Sequence, residues 1–334
     1  MLARLERELP VGDYLYEPKW DGFRCLAVRH GRELDLRSRN GRPLARYFPE
    51  IVEALLALPV ERFALDGELV VARADELDFL ALMARLHPAA SRVERLRAET
   101  PATFVAFDLV RVGADDLSDR PFAERRARLE QLLAEVVSPL ALTPVTADSE
   151  VAEGWLERFE GVVAKHRDLR YEPGKRVMVK VKRALTADCV VGGFRWLVEQ
   201  PLPSTLLLGV HDGGELRHVG VAGGFSQALR RELLERLAPL VVPLEGHPWE
   251  HGFLLAGGAT GRLKGSAGRW APGMEQDWVP VAPVLVAEVA YDQVDDLRFR
   301  HPSRFVRWRP DRDPGSCLLD QLEEHATGLA QLLP

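Results

Sequence analysis

Between residues 187 and 308 the chain passes through five short strand-like segments and a single helical one, and few architectures accept that pattern. The segments are 187–198, 204–211, 215–223, 284–292 and 297–308. The stretch "SQALRRELLERLAPL" has apolar residues at helical spacing and opens on Ser226, a good N-cap. Turns such as "DGGE" at 212–215 suit tight hairpins. Five strands and one helix in so short a span fit a small closed barrel of the OB type. Ahead of residue 185 the texture differs. Strand patterns at 23–29, 34–38, 62–71, 102–110, 161–165 and 177–182 mix with helical patterns at 75–86, 122–135 and 150–159. This predicts an α+β domain over 1–185 followed by a barrel domain over 186–334.

Composition narrows the class. The 334 residues are 46% hydrophobic and 28% charged, which is ordinary for a globular protein. No run of eighteen apolar residues predicts a membrane span, and "MLARLERELP" lacks the apolar core of a secretion signal. The three cysteines, Cys25, Cys189 and Cys317, are far apart and form no CxxC pair. A disulfide framework and a structural zinc site are therefore not expected, and a reducing cytoplasm is the simplest compartment. The net charge of −6 argues against a polyanion partner, but the charge is uneven. Residues 165–183 hold eight Lys or Arg against Asp168 and Glu172, and residues 298–313 hold six Arg against Asp311 and Asp313. Two basic tracts on an acidic chain fit a polyanion bound at one face, or two solvated surface strands.

Five short motifs carry chemistry. In "KWDGFR", Lys19 precedes Asp21-Gly22 and Arg24. Asp-Gly predicts a tight turn with a positive φ at Gly22, which would present Lys19 beside a strand. A lysine that attacks must first lose its proton, which neighbouring cations and partial desolvation favour. In "LDGEL", Asp66 and Glu68 are two apart and so share one strand face. "EGVVAK" opens on Glu160 and ends on Lys165. In "VMVKVKR", Lys180 and Lys182 alternate with valines, so both ammoniums face one side, where a phosphate chain would relieve their repulsion. In "FVAFDL", Phe107 could stack on a base or sit in an ordinary core.

Their order along the chain resembles the collinear motifs of covalent nucleotidyltransferases, and among them the ATP-dependent DNA ligases. "KWDGFR" is similar to the nucleophile motif, "SRNG" at 38–41 to the next, and "DGE", "VAFDL", "EGVVAK" and "VKVK" to the four that follow. "RFVRWRPDR" at 304–312 resembles the closing motif on the barrel. The resemblance spans nearly the whole chain, leaves no room for an added DNA-binding or BRCT domain, and is closest to the small two-domain C-type bacterial ligases. It implies a nucleotidyltransferase (adenylation) domain of antiparallel sheets with flanking helices, then an OB-fold domain. It implies that Lys19 attacks the α-phosphate of ATP to form lysyl-AMP, that AMP passes to the 5′-phosphate of a nick, and that the 3′-hydroxyl seals the strand.

The same resemblance implies roles for named residues. Glu17 sits beside the adenine and Phe107 stacks on it. Glu68 holds the ribose or a metal, Arg24 contacts the sugar-phosphate side, and Glu160 helps bind Mg²⁺, which Mn²⁺ can replace. Lys180 and Lys182 grip the phosphates, and Arg309, Asp311 and Arg312 orient pyrophosphate. The family ends that last motif with lysine, where this chain has Arg312. Arg39 is expected to contact a DNA phosphate. Arg262 and Lys264, in the Gly-rich segment 252–278, are expected to touch DNA or to belong to a plain surface loop. The implied setting is a monomer on nicked duplex DNA in the bacterial cytoplasm, associated with the nucleoid and free of membrane, with a repair polymerase or primase as partner. The alternatives are an RNA ligase, a GTP-using capping enzyme, an NAD-dependent ligase, or a non-catalytic nucleic-acid-binding relative. The NAD-dependent class uses a nicotinamide-binding domain and a four-cysteine zinc module, which eighteen residues before Lys19 and three scattered cysteines do not supply.

Overall fold

The computed structural model describes residues 1–73, 76–183, 185–254, 260–261, 278–295 and 297–322. These divide into two compact units, 1–183 and 185–322.

The first unit contains two main sheets and a small two-stranded one. The smaller of the main two has four strands in the order Leu2–Glu6, Arg176–Val181, Val162–His166, Tyr14–Pro18, with only the first pair parallel. The larger runs Leu140–Leu142, Thr103–Val112, Arg62–Val70, Phe23–His30, Glu33–Ser38, and a short strand, Asp115–Asp116, adds to Thr103–Val112. Only Leu140–Leu142 pairs in parallel there. Residues 19–22 connect Tyr14–Pro18 of one sheet to Phe23–His30 of the other.

Strand alternation gives each sheet two chemically different faces. On the larger sheet Cys25, Ala27, Phe63, Leu65, Leu69, Phe104 and Leu109 enter one core. Ile51 and Leu55 of helix Pro49–Ala57, Leu82 of Phe79–Ala84 and Leu129 of Phe122–Leu132 close it. On the smaller sheet Tyr16, Val162, Ala164, Val179 and Val181 pack with Ala152 and Trp155 of helix Ser149–Arg158. The residues between them on each strand point the other way, and they build the site.

The helix expected over 75–86 is shorter. Glu76–Leu77 pairs with Ala72–Arg73 as a small hairpin, and the helix spans only Phe79–Ala84. Asp78 decides the start, because its side chain accepts the Ala81 amide at 2.7 Å as an N-cap. Helices Pro49–Ala57 and Ala90–Glu99 have no counterpart among the sequence expectations. Each buries a narrow stripe, Ile51 and Leu55 in the first and Val93 and Leu96 in the second, at the four- and three-residue spacing of a helix.

The second unit is a closed five-stranded barrel: Leu185–Trp196, Pro203–Asp212, Glu215–Gly223, Ser303–Trp308 and Val279–Tyr291. Helix Gln227–Leu237 starts where Ser226 caps it, accepting the Leu229 amide at 3.2 Å. Two strands differ from expectation. The segment foreseen as 284–292 begins at Val279, with Pro280 and Pro283 tolerated at an irregular register. The segment foreseen as 297–308 divides into a hairpin of Val294–Asp295 with Arg298–Phe299 and then Ser303–Trp308, because Leu297 turns the chain at φ 58°.

One buried ion pair ties helix Phe122–Leu132 to the larger sheet. Arg125 donates to both oxygens of Asp108 at 2.8 and 2.9 Å and to the carbonyls of Arg120 and Leu169, both at 2.7 Å. Removing one partner of such a pair leaves a buried, unpaired charge. Arg125→Met should therefore destabilise the protein by about 3–5 kcal/mol in urea unfolding, and Arg125→Met with Asp108→Asn should recover part of that loss. A single variant as stable as wild type would refute the assignment.

Candidate active site

Both main sheets of the first unit line a cleft of about 370 Å³. Its walls carry Glu17, Lys19, Arg24, Arg39, Glu68, Phe107, Lys165 and Lys180, with Leu2, Ala3 and Met178 among the apolar residues. Lys19 and Arg39 lie on connections, and the others come from the strand faces that the cores leave free. Phe107 lies beside core Ala106, Arg24 beside Cys25, and Lys180 between Val179 and Val181.

Lys19 is on the connection between the sheets. Its amide donates to the Gly161 carbonyl at 2.9 Å, and its ammonium pairs with Glu160. The other oxygen of Glu160 receives Lys182 at 2.6 Å. One carboxylate thus bridges two lysines, and although burial works to raise it, Lys19 and Lys182 hold it below its ordinary range. Lys180 is shifted down, by burial first and then by Lys182 and Lys19.

Two glycines permit this approach. A Cβ on Gly161 would lie 2.3 Å from the Val181 carbonyl, so only glycine lets Glu160 sit beside Lys182. Gly22 corrects the sequence reading. It has no positive φ. Its requirement is steric, since a Cβ there would stand 2.1 Å from the Leu69 carbonyl, next to Glu68.

Arg24 forks onto Asp66 at 3.0 and 2.5 Å, and Tyr171 donates to the same carboxylate at 2.8 Å. Glu68 also lines the cleft, and its carboxyl is pushed up to about 8. Burial is the main cause, Lys19 and Arg24 oppose it, and Asp66 and Asp21 add to it. Glu17 is 3% exposed, and its carboxylate is held by Lys165 at 2.7 Å and faced by Arg126 at 3.6 Å. Arg126 is itself fixed by Glu130 and the Thr143 carbonyl. Lys165 also donates to the Phe107 carbonyl at 3.0 Å.

Glu17, Lys19, Arg24, Arg39, Glu68, Phe107 and Lys180 thus meet in one cleft, and Glu160 and Lys182 join through Lys19. Arg39 is exposed at the rim. In the barrel unit Arg309 reaches Asp188 at 3.0 Å and Asp311 at 2.9 Å, Arg312 approaches Asp188 at 3.5 Å, and Arg307 pairs with Glu288 at 2.6 Å. The Arg309 guanidinium holds the Asp311 carboxyl down at about 2. Arg262 and Lys264 lie outside the described residues. The alternative reading of 165–183 as a solvated surface strand fails at Lys165. Lys165 is 2% exposed, while Arg167 and Lys175 pair with Asp13 and Glu172. Sequence reasoning missed Lys165, Arg126 and Tyr171. For Lys165 a signal was present, since it alternates with Val162 and Ala164 and so shares a face with Val163.

A family model described as the ATP dependent DNA ligase domain matches residues 4–182. The chain belongs to the ATP-dependent DNA ligase family. The ATP dependent DNA ligase C terminal region matches residues 200–312 of this ligase. It is 46% identical to DNA ligase C2 of Mycolicibacterium smegmatis, covering 97% of this chain and 93% of the relative. It is 45% identical to DNA ligase C of Mycobacterium tuberculosis, covering 100% and 96%. A solved Lig E DNA ligase, at 18% identity and TM-score 0.55 over 92% of this chain and 98% of that one, shares the fold. The resemblance to small bacterial ATP-dependent ligases is thereby shown, and the capping-enzyme, RNA-ligase and NAD-dependent readings give way to it. Among the described residues no helix is long and apolar enough to cross a membrane, and all three cysteines are free and buried.

Glu68 gives this site a pH signature. A carboxyl raised to about 8 in the fold, from about 4.3 when unfolded, binds its proton more tightly in the folded state. Stability should therefore fall as pH rises from about 4.3 to about 8 and level off above that. The difference in urea stability between nucleotide-free wild type and Glu68→Gln should shrink or change sign across that window. A constant difference from pH 5 to pH 9 would exclude the shift.

Proposed function

We propose that Lys19 is the nucleophile of this ligase and that the cleft around it takes ATP. The observation that carries the reading is the bridge Lys19–Glu160–Lys182 at the mouth of a cleft walled by Phe107, Glu68 and Lys180. Lys19 Nζ attacks the α-phosphorus, the bond to the β-phosphate oxygen breaks, pyrophosphate leaves, and the lysine's proton is lost. The phosphoramide then passes AMP to the 5′-phosphate of a nick. The 3′-hydroxyl displaces AMP from that phosphate and closes the backbone.

Nucleotidyl transfer needs positioning and charge neutralisation above all. Phe107 stacks on the adenine, with Glu17 flanking it. Glu68, held largely protonated at neutral pH, can donate to a ribose hydroxyl. Arg24, pinned by Asp66, faces the sugar and phosphate side. Lys180 and Lys182 bind phosphate, which offsets the mutual repulsion of their ammoniums. Arg309, Asp311 and Arg312 of the OB domain (186–334) act on the leaving pyrophosphate, and 1–185 is the adenylation domain. Arg39 binds a DNA phosphate, and Arg262 and Lys264 are further DNA contacts.

A divalent cation, Mg²⁺ or Mn²⁺, fits the donor set. Magnesium is commonly held by one or two carboxylates together with substrate phosphates. No cluster of three or more metal-ligating side chains occurs among the described residues, so an all-protein cage is not what this site offers. Glu160 would hold the ion, joined by Glu68 once the cation's charge displaces the proton that Glu68 keeps in the metal-free site, and the ion would neutralise charge on the reacting phosphate. We place the protein in the cytoplasm with the nucleoid, as a monomer on nicked duplex DNA in repair, with a repair polymerase or primase as partner.

With Mg²⁺ and ATP labelled on the α-phosphate, the protein should form an acid-stable AMP adduct, and Lys19→Ala should abolish it. The label should then move to nicked duplex DNA. Labelling from GTP or NAD⁺ in place of ATP, or an adduct that never reaches DNA, would overturn the assignment.

A further inference from the structure

We infer that Lys165 is a positioning residue for the nucleotide base, acting through Phe107. This rests on the reading above that the base stacks on Phe107.

Lys165 is 2% exposed, yet it lines the cleft. It donates to the Phe107 carbonyl at 3.0 Å and pairs with Glu17 at 2.7 Å. Its ammonium also lies 4.9 Å from the Phe107 ring centroid and 4.4 Å from that of Phe122. A buried ammonium with a carboxylate, a carbonyl and two rings around it has little freedom to move. It therefore fixes both the backbone and the ring plane of Phe107, which, among the described residues, is the aromatic side chain that the larger sheet's strands present to the cleft.

The network is anchored on both sides. Glu17 lies on Tyr14–Pro18 and Lys165 on Val162–His166, which are paired neighbours in the smaller sheet. Phe107 lies on Thr103–Val112 of the larger sheet. The Lys165–Phe107 bond thus joins the two sheets across the cleft. Glu17 serves as the buried counter-ion, since Lys165 takes one of its oxygens and Arg126 faces the other. Glu17 thereby reaches the base through Lys165 and Phe107.

A purely structural lysine would affect every ligand of the cleft alike, whereas one that aims Phe107 should affect only ligands with a base. Lys165→Met should raise the KM for ATP in self-adenylation about tenfold, the range of one base-stacking contact. kcat should change much less, and tripolyphosphate inhibition should be unchanged. Lys165→Arg should restore part of the loss. Phe107→Ala should raise the same KM, and the double variant should be no worse than Phe107→Ala alone. Should Lys165→Met fail to fold, the neutral pair Lys165→Met with Glu17→Gln replaces it in the same cycle. Additive effects of the two sites, or an equal loss of tripolyphosphate binding, would overturn the inference. A Phe107→Ala variant with unchanged KM would instead overturn the placement of the base.

Discussion

The Glu160 carboxylate, set between Lys19 and Lys182, is the interaction on which the site depends. Without it three ammoniums, Lys19, Lys180 and Lys182, would share one corner of a partly desolvated cleft and repel one another. With it, one positive charge is offset and two of the ammoniums are held in place, while Lys180 stays shifted down. The arrangement requires close backbone approach, and Gly161 and Gly22 allow it where any side chain would strike a carbonyl. Lys19, Glu160, the two neighbouring lysines and the two glycines therefore form one steric and electrostatic unit.

The rest of the first unit presents that cluster. Each sheet gives one face to a core and the other to the cleft, which follows from the two-residue period of a strand. Apolar positions such as Cys25, Leu69, Ala106 and Val179 hold the sheets, and the polar residues between them become the lining. Buried pairs recur at the junctions. Arg24 with Asp66 and Lys165 with Glu17 join segments far apart in sequence, and Arg125 with Asp108 ties a helix to its neighbouring strand. Such pairs add little net stability but strongly disfavour any arrangement that separates them.

Most strands of the first unit were legible in the sequence because their apolar alternation is strong, and the motifs stood out because charge interrupts that alternation. Helices Pro49–Ala57 and Ala90–Glu99 were missed although each carries a short stripe, because only two residues of each, Ile51 and Leu55 or Val93 and Leu96, are buried. The basic tract at 165–183 was legible only in part, for a different reason. Composition counts charges but not their partners, and Lys165 is internal. Gly22 was singled out for a turn with positive φ, which it does not adopt. Only the position of the Leu69 carbonyl, forty-odd residues away, reveals why it must be glycine.

By itself, then, the sequence determined which side chains face away from the cores, through strand periodicity, and which chemistry they can perform, through residue type and order. Tertiary structure alone decided the pairing: that Glu160 holds Lys19 across 141 residues, that Asp66 takes Arg24, and that Glu17 is spent on Lys165. The reason is that an ion pair depends on distance through space. Strand registry between separate segments sets that distance, and no local pattern encodes it.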